Sequence, residues 1–453
     1  MNLLESYKNR LAISESVHQK SHNGAKMSAQ KKLMIASVLN NTSKFMNEAF
    51  NSSAATQKSA LGDYKKFCLN ISTVALPNLI LPELMLTQPM SSIAGYVTYL
   101  RYTSGVNKGG VEDRTFNSVY RLGEMDTARM NYTADRVSEV LGEDLKLMWT
   151  PVAKVVKASK DGTDVPVTDW EVAEDGTVSG TGVEAGVKVA YIYDNVIIPQ
   201  NNLPTLKAEM DVIELHAHAR RIAVYYSQIA AFQAKTDYGT DIGEQLAAQA
   251  QGELAYEIDT EGVMMLYKGA EHDKTVDFEA YEKSTQANII SRSQYYEYFN
   301  EIIARAKQVL YKRTQKFAPN YMVVGTDVIS ILPYLKGWTA APASTINGPY
   351  FAGTVDGLKV FVSPSIAANE YFFGVNGSDL QTSAGVYAPY MAIVPTQLLG
   401  FADGTMSQGF STMYDMKLLS TYEGEIANNT AKDSKDGTYS WLLVKGVFDN
   451  AVA

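Results

Sequence analysis

The pattern of apolar and polar positions predicts two long amphipathic helices in the second half of the chain. Between residues 241 and 268, apolar residues recur every three or four positions, which predicts one continuous helix. A second helical pattern follows the N-cap candidate Ser293 and ends before Pro319. Residues 205–232 are ambiguous, because their first half alternates like a strand and the remainder suits a helix.

Short β-forming segments surround these helices. Residues 93–103 predict a strand, and a long polar stretch without a core pattern follows over 104–144. Residues 150–199 contain β-rich pieces separated by Asp-Gly and other glycine-rich turns, which predicts a small all-β insertion. The stretch 385–420 is again strand-rich. The chain is therefore predicted to be α+β.

The most apolar block of the first third is LILPELMLTQPMSS, which runs from Leu79 to Ser92. Its prolines, Pro82 and Pro89, each remove a backbone donor and fix φ, so the block cannot be one helix or one central strand. The preceding residues, 1–60, have a helical pattern with few apolar positions. We expect this N-terminal segment to be poorly packed, and either to lie against another surface or to stay mobile.

Composition is that of a globular protein, with 453 residues, 46% of them hydrophobic and 20% charged. The formal charge of −9 argues against phosphate binding as the main function. The first thirty residues lack the apolar region of a secretory signal, and the prolines of the apolar block argue against a membrane helix. We therefore expect a soluble protein made in a cytosol, with no membrane partner.

Candidate metal ligands are few. A single cysteine, Cys68, excludes an internal disulfide and a multi-cysteine zinc site, and we interpret it as a small buried side chain. His216 and His218 form an HxH pair on one predicted strand, but the sequence suggests no further ligand. Two half-exposed histidines at a subunit contact are the favoured interpretation. We expect no metal and no cofactor.

Catalytic motifs are also missing, since the chain has no P-loop, no dinucleotide fingerprint, no HExxH and no nucleophile elbow. Glu253, Glu257 and Glu261 step by four along the helix predicted over 241–268. Paired carboxylates can perform acid–base catalysis, but this spacing is more typical of a solvated or interface-facing stripe. The absence of a catalytic constellation favours a structural or interaction role over an enzyme.

Several phrases, all in the expected order, carry a family resemblance. They are QPMSSIAGYVTYLRYT, LKAEMDVIELHAHA, NYMVVGTDVISILPYL, GPYFAGTVDGLKVFVSPSI, FFGVNGSDLQTSAGVYAPYMAIVPTQ and GFSTMYDMKLL. Together they resemble the major capsid proteins of T-even-like tailed bacteriophages, which have the Hong Kong 97 fold. The resemblance covers about residues 75–105 and 203–420. This sequence departs from the family at the AHA that ends LKAEMDVIELHAHA, where family members often have a run of acidic residues.

The resemblance implies a domain organisation. The chain would begin with a helical arm at 1–60, followed by an N-arm and entry to the peripheral domain at 61–103 and an extended-loop region at 104–202 that contains the β-rich insertion at about 150–199. A peripheral domain would follow at 203–293, with a spine helix at 241–268. An axial domain would occupy 294–408, and C-terminal strands at 409–453 would return to the peripheral domain.

It also implies a function and partners. Copies of the chain would assemble as hexamers and pentamers into an icosahedral or prolate head, which encloses double-stranded DNA without sequence-specific binding. Scaffold, prohead protease, portal and decoration proteins would be partners, and the virion capsid, assembled in the host cytoplasm, would be the location. The alternatives are a pentamer-only vertex paralogue, an encapsulin-like cellular shell, and a soluble hydrolase with an unrecognised site.

Two sets of residues are candidate sites. In the family, a prohead protease often cuts after a short apolar-x-Glu motif, and Met46-Asn47-Glu48 followed by Ala49 fits it. Residues 1–48 are then a removable, scaffold-interacting segment, unless this common triplet has no meaning. The second set is the assembly and packing residues of the apolar block. Leu79, Ile80, Leu84 and Leu86 should be buried, partly against the peripheral domain and partly against a neighbouring subunit, while Gln88, Pro89 and Met90 mark where the arm enters the peripheral domain.

Overall fold

The computed structural model describes residues 3–21, 26–51, 69, 73, 76–104, 135–194, 205–238, 242–284, 289–314, 317–341, 348–396, 399–419, 421–423 and 438–449. The chain divides into two compact units, one made of Met1–Val97 with Ile213–Ala453, the other of Thr98–Val212.

The helices are α1 (Leu3–Ser6), α2 (Lys8–Ser21), α3 (Ala29–Asn51), α4 (Leu81–Leu84), α5 (Gln228–Tyr238), α6 (Ile242–Gly269), α7 (Arg292–Glu297) and α8 (Phe299–Thr314). The strands are β1 (Leu86–Thr87), β2 (Ala94–Ser104), β3 (Arg136–Val140), β4 (Val152–Lys160), β5 (Thr163–Val165), β6 (Glu171–Val172), β7 (Val178–Ser179), β8 (Lys188–Tyr193), β9 (Leu206–His216), β10 (His218–Ser227), β11 (Glu271–His272), β12 (Phe278–Glu279), β13 (Tyr321–Val324), β14 (Thr339–Ala340), β15 (Tyr350–Val355), β16 (Leu358–Val362), β17 (Glu370–Gly374), β18 (Gly385–Pro395), β19 (Leu399–Gly400), β20 (Thr405–Leu418), β21 (Thr421–Glu423), β22 (Thr438–Ser440) and β23 (Leu443–Asp449).

A five-stranded sheet in the first unit has the order β1-β18-β20-β10, with β19 also paired to β20. Helix α6 contacts this sheet, and their shared core includes Leu254, Ile393 and Phe410. The helix predicted over 241–268 is α6. The ambiguous segment at 205–232 forms two strands, β9 and β10, before α5 begins at Gln228.

An eight-stranded sheet in the same unit has the order β11-β23-β17-β13-β16-β15-β14, with β12 paired to β23. All four residues of β13 are buried, as expected for a central strand. Helix α8 contacts β23 and buries an apolar stripe that includes Phe299, Ile303 and Leu310.

One sequence prediction for this region is wrong. The N-cap is Ser291, not Ser293, because Ser291 has an extended backbone and forms a capping box with Gln294. The predicted domain boundary at 408 falls within β20 and stays a prediction. Strand β18, before it, pairs with β20, while the final strand β23 pairs with β17 of the other sheet.

The β-rich insertion is a small sheet with its own core. Its strands have the order β3-β8-β4-β5, and β6 pairs with β7. Trp149, Tyr191 and Tyr193 are buried at its centre. The predicted start at 150 is too late, because Val137 and Leu141 belong to the same core. Of the polar stretch predicted over 104–144, residues 105–134 lie outside the described part of the chain.

The expectation of a poorly packed N-terminal segment is wrong for α3. Met34, Ile35, Val38 and Leu39 have no exposed surface, and the helix contacts β18. A short apolar stripe is sufficient here because it faces a strand that is buried almost throughout. Among the helices that the structure describes, none is both long and apolar enough to cross a bilayer.

Candidate functional site

The proline-containing apolar block forms an irregular, buried segment in contact with both α3 and α6. Leu79 and Ile80 are each 2% exposed, Leu84 is fully buried and Leu86 is 6% exposed. Pro82 lies in the first turn of α4, where a missing backbone donor costs nothing. In the intact subunit, these side chains therefore have almost no exposed surface for contact with a neighbouring subunit.

Asp259 of α6 fixes the start of α4. Its Oδ2 accepts a hydrogen bond from the backbone N–H of Ile80, and its Oδ1 accepts one from Leu81, both at 3.2 Å. Ile80 is the N-cap residue and its own side chain cannot cap the helix, so the carboxylate satisfies amide groups that would otherwise be buried without an acceptor. Burial raises the pKa of Asp259 to about 7, although these amides and Lys31 act in the opposite direction.

Close packing complements this polar contact. Gly262 follows Asp259 by three residues on α6, so both face α4. A Cβ atom at position 262 would lie 2.0 Å from Leu81 Cδ1, which real atoms cannot do. The glycine therefore lets the Leu81 side chain lie directly against the α6 backbone.

A buried lysine from α3 holds the other side of the segment. Lys31 Nζ donates to the Leu79 carbonyl at 3.1 Å and lies 3.4 Å from His18 Nδ1 and 3.9 Å from Glu83 Oε1. Burial lowers the pKa of Lys31, while the charges of Glu83 and Asp259 partly oppose this. The other carboxylate oxygen of Glu83 accepts from Lys359 at 2.8 Å. Glu83 thus joins the N-terminal helices to the eight-stranded sheet.

The QPM triplet continues the edge of the five-stranded sheet. The Gln88 N–H donates to the Tyr387 carbonyl at 2.9 Å, and the Met90 N–H donates to the Pro389 carbonyl at 3.1 Å. Pro89 lies between them, where the ladder needs no donor. Asn41 of α3 closes the arrangement, because its Nδ2 donates to the Met90 carbonyl at 2.6 Å.

The predicted cleavage residues Met46, Glu48 and Ala49 lie in the last two turns of α3, and Met46 is 1% exposed. Their role in cleavage remains a prediction. Among the predicted packing residues, Leu79 bonds Lys31 and Ile80 bonds Asp259, whereas Gln88 and Met90 bond β18. The role of this set in assembly also remains a prediction.

The remaining sequence candidates do not form a chemical site. His216 and His218 are exposed with ring centroids 5.3 Å apart, and the described residues contain no group of three potential metal ligands. Glu253 and Glu257 are exposed, whereas Glu261 binds Arg220 at 2.6 Å. Cys68 lies outside the described residues.

Sequence reasoning missed Asp259, Lys31 and Glu83. Asp259 carried a usable signal, because it is an acidic residue on the apolar face of α6, beside Ile258 and Val263. Lys31 carried none. It stands in a polar segment, and only the tertiary contact with Leu79 shows that it is buried.

Asp259→Ala tests the cap. We expect the free energy of unfolding to fall by about 2 kcal/mol, because two buried amides lose their acceptor. Urea denaturation of the full chain measures this change. Glu257→Ala, an exposed position on the same helix, is the matched control and should stay within about 0.5 kcal/mol of the wild type. Equal stabilities of the two variants would contradict the capping role.

The raised pKa of Asp259 predicts a pH dependence. Between its unfolded value of about 3.9 and about 7, the folded state keeps a proton that the unfolded state has lost. The stabilisation from this group is therefore full at low pH and is lost as the pH rises through that window. Urea midpoints measured from about pH 5 to about pH 8 should fall less in Asp259→Asn than in the wild type. Parallel profiles for the two proteins would refute the assignment.

Comparison with solved structures gives distant similarities. A protein of Mycobacterium phage Cain aligns with a TM-score of 0.38 and 9% identity, over 83% of this chain and 91% of that one. A structure described as the capsid of Myoviridae phage XM1 aligns with a TM-score of 0.34 and 8% identity, over 73% and 90%. The encapsulin of a Synechococcus elongatus SrpI complex aligns with a TM-score of 0.31 and 12% identity, over 56% and 80%. No curated protein matches the sequence.

A family model gives the decisive match. The model for the major capsid protein Gp23 matches residues 61–444, which includes the apolar segment, α6 and every strand of the five-stranded sheet. This match confirms the predicted α+β capsid fold of Hong Kong 97 type and the predicted function. The chain belongs to the Gp23 family of major capsid proteins.

Proposed function

We propose that the chain assembles with copies of itself into hexamers and pentamers, and that these close into an icosahedral or prolate head around double-stranded DNA. The match to a major capsid family over residues 61–444 is the observation that carries this proposal. The formal charge of −9 supports it too, because a container with this charge does not adhere strongly to a packaged polyanion. Assembly takes place in the host cytoplasm.

In this proposal α6 is the spine helix of the peripheral domain, and the eight-stranded sheet forms most of the axial domain. The packing of α6 on the five-stranded sheet supports the first assignment. The extended-loop region includes the insertion, whose separate core supports its treatment as a module. Portal and decoration proteins are further partners in the same proposal.

Residues 1–48 act in the proposal as a removable segment that contacts the scaffold and is cut by a prohead protease. The family match begins at residue 61, downstream of α3, which supports a separate role for the N-terminal helices. Their loss would uncover the apolar segment, including Leu79, whose carbonyl would lose the Lys31 hydrogen bond. A neighbouring subunit could then reach it. Cleavage after Glu48 requires the end of α3 to unwind, because proteases act on locally opened chain.

The role is structural and not enzymatic. A cavity of about 800 Å³ lies beside the buried charge cluster and is lined in part by His18, Lys31, Glu83 and Lys359. These charged groups lie within 4 Å of one another in pairs, and their contacts tie the N-terminal helices to the sheet. This pairing supports a structural role for the charge cluster and argues against the alternative that it is the active site of a hydrolase.

Electron microscopy of the purified, overexpressed protein tests the shell proposal. We expect tubes, polyheads or closed shells, because subunits of a self-assembling lattice associate without a template. A stable monomer under all conditions, with no lattice at high salt, would contradict it. Copy number in purified virions separates the alternatives, since a vertex-only paralogue would be a minor component.

Mass spectrometry of mature virions tests the removable segment. We expect an N-terminus at Ala49, and a Glu48→Gln variant should keep the full segment because the acidic recognition side chain is gone. Asn47→Gln, which leaves the glutamate in place, serves as the matched control and should be processed. Peptides upstream of Ala49 at full occupancy in wild-type virions would rule the cleavage out.

A further inference from the structure

Over residues 228–237, the part of helix α5 whose side chains the structure describes, no apolar side chain is buried in the subunit. Its sequence is QIAAFQAKTDY, and every residue from 228 to 237 is exposed or half-buried. Ile229 and Phe232 are 71% and 72% exposed, and their spacing of three places them on the same face. An eleven-residue helix is marginal by itself in water, so its stability depends on packing, and within the subunit it packs on one side, against α6 and β10 among the described elements.

The sheet beside α5 also carries exposed apolar side chains. Tyr225 of β10 and Leu399 of β19 both lie opposite Ser407 of β20, so their side chains leave the same face of the sheet. The Gln228 N–H donates to the Gly404 carbonyl at 3.0 Å, which ties the start of α5 to the turn that follows β19. We define the α5 patch as five large apolar side chains, each at least half exposed: Tyr225, Ile229, Phe232, Leu399 and Phe401.

A strand edge adjoins the patch. Strand β10 is the last strand in its sheet, and in the described part of the chain it has a ladder partner only on the β20 side. Lys235 and Asp237 are exposed near the end of α5, so charges of both signs flank the apolar centre. An apolar centre with a polar rim is the usual anatomy of a protein–protein interface.

We propose that the α5 patch is an interface with a second copy of this chain. The inference rests on the proposed shell assembly and assigns part of the subunit contact to these residues. Monomeric proteins rarely leave an apolar surface of this kind uncovered. Permanent self-contacts are more apolar than transient ones, whereas a nucleic-acid surface would need a face dominated by cations. A capsid subunit must bind other copies of itself, which makes a second copy the occupant that fits both the chemistry and the family.

Substitution of the exposed helix face tests the interface. Ile229→Ser combined with Phe232→Ser should leave the melting temperature unchanged and reduce the yield of sedimenting particles at least about tenfold. Tyr311→Ser is the matched control, because Tyr311 is 58% exposed on α8, away from the patch, and that variant should assemble like the wild type. Normal assembly of the double variant would overturn the proposal. Loss of its fold would also overturn it, since α5 would then be packed within the subunit.

Photo-crosslinking identifies the occupant without removing the patch. With p-benzoylphenylalanine at position 232, irradiated particles should contain covalent dimers of this chain, and the unassembled subunit should contain none. Crosslinks that are only intramolecular, or that join a different virion protein or nucleic acid, would overturn the proposal. Failure of the wild-type chain to form particles would count instead against the proposed function, so the two failures are distinguishable.

Discussion

The buried carboxylate of Asp259 is the polar contact that joins α6 to the irregular apolar segment. It accepts hydrogen bonds from Ile80 and Leu81 and so fixes where the irregular apolar segment meets α6. A segment cut by prolines cannot satisfy all its amides through a regular ladder. Here one acidic side chain on the apolar face of a long helix accepts the hydrogen bonds of two of these amides. Gly262 provides the space that the contact needs.

The same segment connects elements that are far apart in the sequence. Glu83 lies between Lys31 of α3 and Lys359 of β16, while Asn41 of α3 reaches the Met90 carbonyl. Burial disfavours the charged form of Lys31, as the lowered pKa shows. Any event that detaches α3 therefore changes hydrogen bonding and charge balance along the whole segment. The position of the N-terminal helices and the conformation of the apolar block are physically coupled.

Local pattern was sufficient to predict the long helices, because an apolar stripe specifies the buried face of α6 and α8 directly. It was not sufficient for α3, where the partner strand β18 lies more than three hundred residues away in the sequence. The buried segment at Leu79 was predictable from apolarity and prolines. Its polar anchors were not, since Lys31 looks like a surface residue until the tertiary fold surrounds it. The start of the insertion was misplaced because Val137 stands in an otherwise polar stretch.

The insertion has one further property that follows from its strand order. Its first and last strands, β3 and β8, are neighbours, and Arg136 lies directly opposite Ile192. The two ends of the module are therefore about 5 Å apart, a distance that a short turn can span. A short turn in place of the module would therefore join the same two flanks.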